Sequence, residues 1–268
     1  MSVAINTLTE NTGSLRIVQP RLHLPVMRGV IERRMLVNFR CDPDVVAKLL
    51  PSPFQPKLVR DFVVAGICLV RLGNVRPGCV PAIAGITSEN AAHRIAVEWE
   101  ENGVTREGVF IPRRDTSSTL NRLAGGRLFP AVAHAADFRV WESSNRFKLE
   151  LRSVDGVTFV RIAARVAEMV TPGSVFRDLD EASQFFQTGG VGWSARSTAG
   201  EYDGVELCCD RWQMQPLTVE RVESSFFSDK KLFPPGAATF DSAFLMRNVP
   251  HEWRARGRMI CAGGECYE

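Results

Sequence analysis

The sequence predicts a mainly β domain of the α+β class, an antiparallel sheet closed into a barrel or cone and interrupted by a few short helices. Three observations predict it. Asn102-Gly103 and Asp155-Gly156 are hairpin turns between stretches where apolar and polar residues alternate. Each such hairpin has one wet face, so its other face needs a closed or stacked sheet to cover it. The helical segments between the strands are short, and no break reads as a linker between independent domains.

Taken in order, residues 1–20 are polar and are expected to form a poorly ordered tail, leaving 21–268 as one domain. Residues 30–39 read as the first strand. Asp42 can cap a helix with Pro43 in its first position, and Pro51 and Pro53 stop it. Residues 62–72 form a continuous apolar strand, followed by a proline- and glycine-rich loop at 74–85. In the next strand Ile95, Val97 and Trp99 share one face, and Arg94, Ala96, Glu98 and Glu100 the other. A helix is predicted over 115–126, capped by Asp115 or Thr116 and ended by Gly125-Gly126. Phe147, Leu149 and Leu151 alternate with Lys148, Glu150 and Arg152 before the turn, and Val160, Ile162, Ala164 and Val166 line the return strand. A second helix covers about 178–188, with Gly189-Gly190 after it, and late strands run through 205–212 and 215–226. Residues 233–253 mix prolines, aromatics and charges without a period and are expected to cover one end of the sheet.

Composition narrows the function classes. The 268 residues are 45% hydrophobic and 24% charged, which suits a globular protein and excludes a disordered chain. A net charge of +3 gives no general attraction to nucleic acid or membrane. Of 33 basic residues only Lys48, Lys57, Lys148, Lys230 and Lys231 are lysines, so any amine chemistry has five candidates. The seven cysteines are odd in number and lack C-x-x-C spacing, which points to a reducing compartment rather than a disulfide framework or zinc site. Cys68 lies in an apolar run and reads as a buried thiol. No stretch reaches the roughly 18 apolar residues of a membrane span, and the first residues lack a secretory core. The expectation is a cytoplasmic protein with no metal and no cofactor.

Phosphate-loop, nucleophile-elbow and H-E-x-x-H motifs are absent. Strand parity supplies one candidate pair. If the strand holding Ile95 begins near residue 88, Glu89 and His93 face the interior with it; if it begins at Ala91, Glu89 sits on an exposed loop. A second candidate is GVFIPRRDTSS at 108–118, where Arg113 and Arg114 end an apolar strand. Their planar forks of donors suit a carboxylate or phosphate, and the alternative is a corner paired with Asp115. A third is Lys230-Lys231, since one ammonium beside another can become nucleophilic; the alternative is two exposed lysines at a turn.

Three segments carry a family resemblance. NFRCDPDVVAKLLPSPFQP resembles the opening strand and short helix of the acetoacetate decarboxylase-like superfamily. GITSEN resembles its "Y-x-E" strand, and GVFIPRRD its "G-F-P-K-K" corner. The resemblance spans roughly 30–250 and is nearest to the YqjF-like branch. It implies a closed antiparallel sheet around a pocket, and a homo-oligomer. In the decarboxylases the first corner lysine forms a Schiff base and the second lowers its pKa. By this resemblance Arg113 stands in the place of the nucleophilic lysine, Arg114 in that of its neighbour, and Glu89 matches the family's glutamate. A guanidinium cannot form the imine. The implied protein binds a small, anionic, carboxylated or keto compound without that decarboxylation. Arg113 anchors the anion, Arg114 supplies field, and Glu89 and His93 orient the ligand or move a proton. The alternatives are a non-catalytic sensing or interaction module, and a Schiff-base lyase using Lys230 or Lys231.

Overall fold

Asn102 and Gly103 both take positive φ, 54° and 74°, which gives the tight turn that folds β6 (Ile86–Glu101) onto β7 (Val104–Thr116). The computed structural model describes residues 15–19, 25–119 and 132–261. The other strands are β1 (Leu15–Val18), β2 (Met27–Cys41), β3 (Gln55–Pro56), β4 (Leu58–Val59), β5 (Phe62–Pro77), β8 (His134–Glu142), β9 (Arg146–Ser153), β10 (Phe159–Val166), β11 (Val191–Ala195), β12 (Glu201–Cys209), β13 (Gln215–Ser224) and β14 (Ala238–Cys261). The α-helices that lie wholly within the described residues are α1 (Pro43–Leu49), α2 (Leu179–Thr188) and α3 (Ser225–Ser228). The start of α1 follows its sequence signal, and Asp178 caps α2 in the same way. The Asp42 carboxylate accepts from Asp44 N at 2.8 Å, and the Asp178 carboxylate accepts from Glu181 N at 2.8 Å. Among the described residues no helix is long and apolar enough to cross a membrane.

The sheet closes twice. One ring runs β7, β8, β9, β10, β13, β14, β2, β5, β6 and back to β7. A second leaves β7 through β11 and β12, meets β14, and returns through the same β2, β5 and β6. The shared strands therefore divide two interiors. Alternate residues go to opposite sides: Met35, Val37 and Phe39 join the core behind β8–β10, whereas Leu36 joins the core beneath α2 with Phe244, Ala182 and Phe186. Both faces of Met35–Phe39, Val63–Leu69 and Asp241–Met246 are buried, which erases the apolar/polar alternation there.

That double burial corrects the reading of 233–253. Most of it belongs to β14, a 24-residue strand at the centre of both rings, rather than a cover over one end. Three further differences concern boundaries. Leu15–Val18, expected in the tail, pairs with Arg258–Cys261; residues 1–14 lie outside the described residues. Asp115 and Thr116 end β7 instead of capping a helix, and most of the helix expected at 115–126 lies outside the described residues. The expected loop at 74–85 begins later, because β5 continues to Pro77.

Candidate functional site: a cationic cavity in the second ring

A cavity of about 140 Å³ lies inside the second ring. Every strand of that ring reaches it: Arg34 from β2, Cys68 from β5, Arg94 from β6, Arg114 from β7, Gly192 from β11, Leu207 from β12 and Trp253 from β14. Ile31, Leu72 and Ile111 make much of the wall apolar. A smaller space of about 30 Å³ shares Arg34 and Arg94 with it and extends toward Phe185 and Phe186 of α2.

Three arginines bring positive charge into this space, and each is held by neutral groups. Arg34 Nε donates to Cys68 Sγ at 3.2 Å, and its guanidinium lies over the Trp212 ring at 5.3 Å. Arg94 donates to the Asn38 side-chain oxygen and lies 4.7 Å over Phe186; Asn38 in turn donates to Ser242 Oγ at 3.2 Å. Arg114 Nε donates to Ser194 Oγ at 3.2 Å. Arg94 Nε and Arg114 Nη2 are shielded from solvent and have no hydrogen-bond partner among the described residues. None of the three pairs with a carboxylate among those residues. Burial lowers the pKa of both Arg94 and Arg114 to about 10. Charges placed this way cost several kcal/mol (about that order) unless a counter-charge joins them. The described lining thus carries three guanidiniums and no ion pair to any of them among the described residues.

The adjacent arginine behaves differently. Arg113 faces the opposite side of β7, where Nη2 meets Asp115 at 2.8 Å and Asp155 at 2.9 Å. Burial works against its charge, but those hydrogen bonds outweigh it and raise the pKa. Asp115 also borders the cavity, and burial raises its pKa despite Arg113.

Glu89 and His93 share the face of Arg113, since β6 begins at Ile86 and the longer strand sets their parity. Neither lines the cavity. Glu89 pairs with the buried Arg33, which also reaches Glu142 at 3.0 Å. His93 is 1% exposed and packs against the Phe226 ring at 4.9 Å. Neither ring nitrogen has a hydrogen-bond partner among the described residues. Burial, aided by the charge on Arg113, pushes its pKa down to about 3. Of the four residues predicted from sequence, only Arg114 reaches the cavity. Lys230 and Lys231 are exposed and do not line it, so the relocated Schiff base loses the placement it required.

Sequence reasoning misses Arg34 and Arg94 as site residues and reads Cys68 only as a buried thiol, which it is. Alternation puts Arg94 on the face it shares with Ala96, Glu98 and Glu100, opposite Ile95, Val97 and Trp99. The available signal was its spacing between Ala92 and Ala96, small residues that leave room for a buried guanidinium.

No protein-family model and no curated protein matches the chain. Solved structures do. The chain is similar to the acetoacetate decarboxylase from Legionella pneumophila subsp. pneumophila str. Philadelphia 1, with TM-score 0.58 and 10% identity, over 98% of this chain and 99% of that one. It is similar to an acetoacetate decarboxylase-like enzyme from Sphingomonas wittichii RW1, with TM-score 0.55 and 13% identity, over 91% and 95%. It is also similar to the enduracididine biosynthesis enzyme MppR complexed with pyruvate, with TM-score 0.53 and 12% identity, over 91% of each chain. The fold is therefore that of the acetoacetate decarboxylase-like structures, and at these identities the likeness speaks for the fold alone.

Proposed function

We propose that this protein binds a small carboxylated compound in the second-ring cavity, with Arg94 and Arg114 receiving the carboxylate and Arg34 adding charge. The observation that carries the reading is three cavity-lining guanidiniums without a carboxylate partner among the described residues. A dicarboxylate or keto dicarboxylate matches that charge better than a monoanion, and the apolar wall takes the carbon skeleton. MppR, which shares the fold, is described with pyruvate bound, which supports an oxo acid as the ligand class.

Schiff-base decarboxylation is not part of the reading. No lysine lines the cavity; Lys57, in the smaller adjoining space, is paired with Glu107. The six described cysteines are all free, which supports a reducing compartment. The test is thermal denaturation with pyruvate, acetoacetate, succinate and 2-oxoglutarate, using chloride at equal ionic strength as control. At least one carboxylate should raise Tm beyond chloride; equal Tm throughout would overturn the reading.

A further inference from the structure

We infer that Cys68 is a nucleophile of this cavity, forming a covalent bond with carboxylates that carry an electrophilic carbon. The inference rests on the carboxylate-binding reading and goes beyond it. Cys68 lines the cavity, is 8% exposed, and its thiol is free. Arg34 Nε donates to Sγ at 3.2 Å, and Arg94 and Arg114 both lie within electrostatic reach of it. Arg94 also lines this space, is 4% exposed, and its Nε has no hydrogen-bond partner among the described residues. An anion drawn to these guanidiniums is thereby brought beside the sulfur. The other nucleophilic side chains of the lining are engaged. The Thr116 hydroxyl donates to Asn90 Oδ1 at 2.7 Å, and Asp115 is held by Arg113.

With an α,β-unsaturated carboxylate the step balances within the pair. The sulfur–carbon bond forms at Cβ, the carbon–carbon π bond and the S–H bond break, and the proton ends on Cα. With iodoacetate the sulfur–carbon bond forms, iodide leaves with the electron pair of its bond to carbon, and the thiol proton passes to solvent.

Iodoacetate and iodoacetamide differ chiefly in charge, so the pair tests the inference on the folded full chain. Rates are read per cysteine by peptide mapping, with the exposed Cys79 as internal reference. Relative to Cys79, Cys68 should favour iodoacetate over iodoacetamide by at least about tenfold. Arg114→Gln should cut that preference at least about fivefold. Cys68→Ser should remove the labelled peptide while leaving labelling of Cys79 unchanged. A Cys68 that stays unlabelled, or shows the same ratio as Cys79, overturns the inference. Succinate and 2-oxoglutarate binding, measured by calorimetry on the same sample, separates the two failures. Binding with an inert Cys68 removes only the covalent step, whereas no binding and no preference remove the underlying reading as well.

Discussion

Arg113 and Arg114 follow one another along β7 and send their guanidinium groups to opposite faces of it. Arg113 ends on Asp115 and Asp155, at 2.8 and 2.9 Å, while Arg114 ends in the cavity on a serine hydroxyl. The alternation of a β-strand forces this separation, and it puts an ion-paired guanidinium and one without a carboxylate partner among the described residues on two adjacent positions. Arg113→Ala should leave the buried Asp115 carboxylate unpaired and cost about 3 kcal/mol in urea denaturation. Carboxylate affinity should change by less than about threefold, within the usual scatter for a residue outside a site.

Arg114→Met should have the reverse profile. It replaces a shielded charge by an apolar chain of similar length, so the ligand-free protein should keep its Tm or gain a few degrees (about 2–4 °C). Binding of any carboxylate that protects the wild type should weaken by at least about tenfold. Differential scanning fluorimetry with and without the carboxylate reads both effects.

Gly192 tests the position of the cavity wall. A Cβ there would lie 2.7 Å from Ile111 Cδ1 and 3.7 Å from Arg114 Nη2. Gly192→Ala should push Ile111 into the cavity, cost about 1–3 kcal/mol, and weaken carboxylate binding. Gly103→Ala is the contrasting control, because its cost arises from positive φ in an exposed turn and should leave binding unchanged.

His93 predicts an acid-labile fold. Its pKa is lowered from 6.5 to about 3 in the folded protein, chiefly by burial. Between those values the unfolded chain takes up a proton that the folded one refuses, so stability falls as pH falls. The slope from this residue is about 1.4 kcal/mol per pH unit. His251, lowered to about 4, adds in the same direction. Urea denaturation across pH 4 to 7 should show a shallower dependence in His93→Leu than in wild type. Identical slopes would mean that His93 is not buried neutral.

What the sequence made legible follows the chemistry of exposure. The Asn102-Gly103 hairpin, the Asp42 cap, the helix ending before Gly189-Gly190 and the alternation in β9 and β10 could be read because each has a side facing water. β14 could not, because Asp241–Met246 is buried on both faces and no period survives. The same cause hid the site. The charged candidates that stood out, Glu89 and Arg113, are neutralised by Arg33, Asp115 and Asp155. Arg34 and Arg94 looked like ordinary polar positions, since only the closure of the second ring turns their side of β2 and β6 inward.

The most direct test of the account is calorimetric titration of succinate and 2-oxoglutarate into three proteins: wild type, Arg113→Ala and Arg114→Met. The account predicts saturable binding of at least one of these carboxylates to wild type and to Arg113→Ala, and a loss of at least about tenfold in Arg114→Met. Binding that survives in Arg114→Met and disappears in Arg113→Ala would place the anion on the other face of β7 and contradict it.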